Sequence, residues 1–147
     1  MPSISYQLYC SRNFPTLDDT LAMLAQAGYK DVEGYGGLYG DAAGFKASLD
    51  RAGLSMPTGH FGLSQIEDQR DDMLALAKML KMDAVIVPYV MPEDRPTTAD
   101  GWRAFGKRLN DAGKPFLDAG FKFGWHNHDF EFAMVDGVLP EDAILEG

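Results

Sequence analysis

The sequence predicts an α/β protein on a parallel sheet, in the form of the first part of a (β/α)8 TIM barrel, and three observations carry that prediction. Short apolar runs alternate strictly with amphipathic helical segments through the 147 residues. An Ala-Gly pair closes the helical segment before the next strand at residues 27–28, 52–53 and 119–120. Polar residues stand at the carboxyl ends of several strands, at Glu33, at His60 and from His126 to Glu131, which is where a barrel gathers its chemistry.

The elements follow in order. Residues 4–10, ISYQLYC, read as the first strand. Thr16 caps a helix in which Leu17, Leu21 and Leu24 recur at helical spacing; Gly28 stops it, and a second strand runs to Glu33. Residues 45–60 repeat the unit, with Gly53 as the stop and His60 at the strand end. Residues 64–89 open with a Ser64-x-x-Glu67 capping box, continue with an apolar face of Ile66, Met73, Leu74, Ala77 and Leu80, and end in a strand at 84–89. Residues 101–128 hold the fourth helix, stopped at Gly120, with His126 to His128 ending the fifth strand; Trp102 and Phe105 are packing residues of that helix. Residues 140–147 read as the start of another helix. The sum is one domain over 1–147 with five strands and four helices. EGYGGLYG, residues 33–40, fits neither nucleotide-binding glycine spacing and reads as a flexible loop over the active face.

Such alternation implies parallel strands with right-handed crossovers. A doubly wound, flavodoxin-like sheet is the alternative, because five strands complete it at about this length. A full barrel needs about 250 residues, so this chain would be strands 1–5 and helices 1–4, apparently truncated. Polar groups at several strand ends favour the barrel, and so does a last segment that reads as a fifth helix barely begun; CSRNFPT in place of a glycine-rich phosphate loop after the first strand takes support from nucleotide-binding variants. An incomplete barrel has open edges at its first and fifth strands, so a homodimer through those edges, or marginal stability, is expected.

Composition narrows the function classes. The net charge of −9 opposes phosphate backbones, and the 13 Lys and Arg form no basic run, so nucleic acid is not an expected partner. The longest apolar stretch, residues 84–92, is too short to span a bilayer, so no membrane partner is expected. With the single cysteine Cys10, read as a small apolar filler, and no signal-peptide pattern, a cytoplasmic location is expected.

Two of the three histidines lie in GWHNHDF, residues 124–130. Strand alternation puts His126 and His128 on one side, and Glu131 follows a turn at Asp129 that can return its carboxylate to them. Neutral imidazole binds Mn, Fe, Co or Zn and carboxylates suit harder cations such as Mg, so a divalent ion (Mn, Mg, Co or Zn) is the expected cofactor. His60 lies between Gly59 and Gly62, which leave room for a ligand, and Glu33 is placed to orient a hydroxyl group. Gln7 and Tyr9 both lie in the first strand, where either can be core or site; Gln7 is a candidate for the site, and the core is the reading preferred for Tyr9.

YQLYCSRN, AGYKDVEGYG, AGLSMPTGHFGL and above all GWHNHDFEF resemble the amino-terminal part of sugar phosphate isomerases/epimerases, in the xylose isomerase-like TIM-barrel superfamily. The resemblance spans essentially the whole chain. It implies a divalent-metal-dependent enzyme that moves a proton next to the carbonyl of a sugar or sugar derivative, through an enediolate, with keto-sugar lyases and dehydratases as related outcomes. It implies catalytic roles for Glu131 and His126, substrate contacts for Glu33, His60, His128 and Gln7, and Glu131 as the metal carboxylate. The family draws further ligands from strands six to eight. The chain alone is therefore expected to leave that metal set incomplete and to show little isomerase activity; a non-catalytic half-barrel binding or assembly module is the alternative.

Overall fold

The computed structural model describes residues 4–14 and 16–147. Five parallel strands form one sheet: β1 (Ser5–Gln7), β2 (Asp31–Gly34), β3 (Ser55–His60), β4 (Ala84–Val87) and β5 (Lys122–Trp125). Their order across the sheet is their order along the chain. A doubly wound sheet must reverse direction once, placing a later strand on the far side of the first. No reversal occurs here, so the flavodoxin-like alternative is excluded and the sheet is a run of consecutive barrel staves.

Among the described residues there are six α-helices. α1 (Leu17–Gln26) begins at Thr16, whose Oγ1 accepts the Asp19 amide, as its sequence predicts. α2 (Ala42–Ala52) is capped by Asp41 and stopped by Gly53 in the left-handed region, φ 67°. The single helix expected from Ser64 is instead two, α3 (Leu63–Asp68) and α4 (Arg70–Met79), broken where Gln69 takes φ −132° and ψ 38°. The Ser64/Glu67 capping box does not form, because the cap lies two residues earlier and Ser64 is already inside the helix. Gly62 occupies the cap position, and Gln65 Oε1 accepts its amide at 3.3 Å. Glu67 pairs with Arg108 instead. α5 (Ala99–Asp118) carries Trp102, Phe105, Leu109 and Phe116 into the core, and α6 (Pro140–Glu146) packs on it.

Strands are shorter than expected. β1 gives way after Gln7 to a 3-10 turn at Leu8–Ser11, and β4 stops at Val87. The glycine-rich segment also holds a 3-10 turn, Gly36–Asp41, rather than an irregular loop. Tyr39 pins that turn. Gly34 and Gly59 face each other across β2 and β3, and a Cβ on either would lie within 3 Å of the Tyr39 hydroxyl.

The core fills the space between sheet and helices. Leu21, Val32, Leu49, Phe61, Ile66, Val85, Val87 and Phe116 are essentially sealed from solvent. Along β2 the side chains alternate, Val32 and Gly34 buried toward the helices and Glu33 on the opposite face. The register between β2 and β3 slips by one residue after Asp31–Ser55, so that Glu33 stands beside Thr58 rather than Pro57. A proline, having no N–H to give the ladder, is at home in such an irregularity. The slip also sets the site: it puts Thr58, and two residues on His60, on the same face as Glu33. Among the described residues no helix is long and apolar enough to cross a membrane.

Candidate functional site

Glu33 is the centre of the arrangement at the carboxyl ends of the strands. Its Oε1 accepts Gln7 Nε2 from β1 at 3.0 Å, and its Oε2 accepts the Thr58 hydroxyl from β3 at 2.7 Å. His60 Nε2 lies 3.0 Å from Oε1. Burial pushes this carboxyl up, but donation from His60, Gln7 and Thr58, with the His60 charge, outweighs it and holds the carboxyl at about 2. Glu33 is therefore an anion throughout the physiological range.

His60, 6% exposed, reaches a third strand end. Its Nε2 is 3.5 Å from Nδ1 of His126, whose backbone N–H donates to Val87 O and so extends the β4–β5 ladder one residue past Trp125. Burial, and then the neighbouring His60 and His128, lower the His126 pKa, favouring a neutral ring. The His126 ring stacks on His128 (centroids 4.9 Å apart, planes 18° apart), and His128 stacks on Phe130 at 5.7 Å. Tyr89 meets both His128 and Phe130 edge-on, and Arg95 covers the Phe130 ring at 3.6 Å while donating to the Tyr89 hydroxyl.

An open cavity of about 700 Å³ lies against this cluster. Gln7, His60, His126 and His128 supply its polar lining; Tyr9, Tyr35 and Tyr89 supply aromatic wall. The structure thus brings together four of the residues singled out from sequence around the cavity, with Glu33 directly behind Gln7 and His60. Tyr9 departs from its expected core position: it is 47% exposed and meets Tyr35 edge-on at 5.3 Å, because the chain turns into 3-10 geometry before reaching it. Cys10 is also exposed rather than a core filler, its Sγ 3.7 Å from Gln7 Oε1.

Glu131 stands apart from the Glu33 group. It is sealed from solvent, with Oε1 accepting the Trp125 indole N–H at 3.1 Å and Oε2 accepting the His128 amide at 2.8 Å. Both carboxylate oxygens therefore bind the turn that carries the two histidines.

Among the described residues one group has metal-ligand geometry: Glu33, His60 and His126 each offer one donor atom within 4.8 Å of the others. A first-row ion with bonds of about 2.1 Å in tetrahedral surroundings needs donors about 3.4 Å apart. The 3.0 and 3.5 Å separations about His60 Nε2 meet that need. They serve hydrogen bonding less well, since Nε2 has one proton at most and faces two groups. Sequence reading missed Thr58, Tyr35 and Tyr89. For Thr58 the available signal was its i, i+2 relation to His60; for the two tyrosines, their place just past β2 and β4.

No family model matches the chain, and no curated protein matches it by sequence. Solved structures do. A sugar phosphate isomerase/epimerase from Parabacteroides distasonis superposes with a TM-score of 0.82 at 20% identity, over 98% of this chain and 60% of that one. An AP endonuclease, family 2, from Brucella melitensis gives 0.68 at 16% identity, over 85% and 55%. The IOLI protein, whose structure holds a bound zinc atom, gives 0.60 at 12% identity, over 84% and 51%. At these identities the likeness shows the fold alone, five consecutive βα units of a TIM barrel. The chain spans roughly half to three-fifths of the length of these three structures.

Proposed function

We propose that this chain forms the metal-holding, substrate-binding part of an isomerase- or epimerase-type site that moves a proton next to the carbonyl of a sugar or sugar derivative. The observation that carries the reading is the convergence of Glu33, His60 and His126 beside a tyrosine-walled cavity at the carboxyl ends of parallel strands. When bound there, a divalent ion supplies Lewis-acid polarisation of adjacent carbonyl and hydroxyl oxygens.

The chain's own residues do the rest. Tyr9, Tyr35 and Tyr89 offer ring faces and edges to the C–H surfaces of a sugar. Gln7 fixes Glu33 from one side and Thr58 from the other, so the carboxylate does not swing as ligands change. His128 takes the proton-moving role in this reading, because the His126 Nδ1 faces His60. Among the described residues the Nδ1 of His128 is enclosed without a partner, and His128 lines the cavity, so this reading gives proton exchange to its Nε2. Glu131 holds the His126–His128 turn in place. The same proton abstraction gives elimination when a leaving group sits on the next carbon, so a keto-sugar lyase or dehydratase uses the same residues.

The test is saturation-transfer NMR of aldoses and ketoses, free and phosphorylated, with and without divalent metal, combined with deuterium uptake beside the carbonyl. We expect metal-dependent binding and exchange, with exchange reduced at least a hundredfold in His128→Ala. A folded, metal-loaded chain that contacts none of these compounds would defeat the proposal. A second reading, a half barrel that acts only once joined to other βα units, is favoured by the 60% coverage of the isomerase/epimerase structure. It predicts binding without exchange.

A further inference from the structure

The Glu33–His60–His126 group contains a feature that bears on which metal it holds and on how much protein it needs. Two of its three donors are imidazole nitrogens and one is a carboxylate oxygen. Magnesium and calcium seek oxygen-only surroundings, whereas imidazole suits zinc, cobalt and iron(II). All three donors also come from β2, β3 and the residue after β5. None lies further along the chain than His126.

We propose that Glu33, His60 and His126 form a self-sufficient site for one transition-metal ion of the zinc, cobalt or iron(II) class, selective against magnesium, within this chain alone. The inference rests on the reading of this group as the metal site, and it adds the identity of the ion and its independence from further barrel strands.

The surroundings are built for it. The carboxylate is held by the Gln7 amide and the Thr58 hydroxyl before any ligand arrives. The His126 ring is held by its stack on His128, and the turn beneath both by Glu131. Outer contacts of this kind orient first ligands and ordinarily contribute ten- to a hundredfold in metal affinity. His60 and His126 line the open cavity, so water or a substrate oxygen can reach an ion bound between them. The chain's remaining histidine, His128, is not in the group, and its single thiol, Cys10, lies on the surface.

The experiment uses the 147-residue chain, stripped with chelator and titrated with cobalt(II), zinc and magnesium. Cobalt binding is read by its visible absorption, zinc by competition against cobalt, and magnesium by calorimetry. We expect one cobalt per chain, displaced by zinc, and no magnesium binding up to about 10 mM. Glu33→Gln, His60→Gln and His126→Gln should each weaken cobalt binding at least tenfold, and Cys10→Ser should leave it unchanged. Thermal melts of the metal-free variants show which of them remain folded, and the metal selectivity of the unaltered chain needs no variant at all. A folded chain that binds no metal overturns both this inference and the metal reading beneath it. Magnesium binding as tight as cobalt, or a need for added barrel strands, overturns the inference while leaving that reading standing. Cobalt binding undiminished in all three folded variants, or lost in Cys10→Ser, places the ion elsewhere and overturns the inference as well.

Discussion

Three donors converge on Glu33, and their balance against burial decides how this carboxyl responds to acid. The usual value for this carboxyl is 4.5 and the folded chain holds it at about 2, so the folded state binds its proton less readily than the unfolded one. The resulting stability is complete above about pH 5 and is lost as pH falls from there toward 2. With allowance for partial solvent access it is worth on the order of 2 kcal/mol. Denaturant titrations from pH 7 to 3 should therefore show a steeper loss of stability in the unaltered chain than in Glu33→Gln; parallel curves would mean that Gln7, Thr58 and His60 do not favour the anion. Glu131 makes a different prediction. Glutamine at 131 must turn an NH2 toward either the Trp125 indole N–H or the His128 amide, setting donor against donor at a sealed position. We expect Glu131→Gln to cost about 1–3 kcal/mol in urea unfolding and to broaden the His126 and His128 ring resonances. A variant as stable as the parent would remove the carboxylate from its role in holding that turn.

At the scale of elements, the tightest joint is between α5 and α6. A Cβ on Gly106 would sit 2.2 Å from the Ile144 carbonyl oxygen, a backbone atom that yields only if the whole of α6 shifts. Gly106→Ala should lower stability by about 1–3 kcal/mol and raise hydrogen exchange across residues 140–146; unchanged protection there would show that the helices have slack. The elements themselves were largely readable in the sequence, because periodic leucines, the Thr16 cap and the Gly28, Gly53 and Gly120 stops are local signals. Less readable were the features set by tertiary contact. The break at Gln69 follows no proline or glycine, and Gly62 displaced Ser64 as the cap through a backbone conformation that composition does not announce. The candidate site divides in the same way. Glu33, His60 and the histidine pair stand out as polar ends on apolar strands, so they were found. Thr58 reaches Glu33 only through the register slip at Pro57, a pairing between strands that no single strand's pattern contains. Glu131 reads from its nearness to the histidines as a catalytic and metal carboxylate, but the direction of its carboxylate, toward Trp125 and His128 N and away from the Glu33 group, is a property of the turn rather than of the spacing.

For the whole molecule the decisive feature is a sheet with two unpaired edges. β1 and β5 each pair on one side only within the described chain. Large apolar side chains are exposed close to both in sequence: Ile4 (75%) and Phe14 (67%) about β1, and Phe132 (54%) and Met134 (69%) after β5. Unpaired backbone and exposed apolar surface favour association. The net charge of −9 opposes it, since two copies repel. Salt discriminates between the two effects, because at about 0.1 M it screens charges beyond roughly 10 Å and leaves apolar attraction intact. The 147-residue chain should therefore gain apparent mass with protein concentration in light scattering, and gain more at high salt than at low. Its melting temperature should rise with concentration as association stabilises the folded form. Phe132→Lys combined with Met134→Lys should hold the chain monomeric, with little change in the melting temperature measured at high dilution. A parent chain that remains a compact monomer at every salt and concentration, melting at a constant temperature, would show that five staves close off their own edges and need no partner.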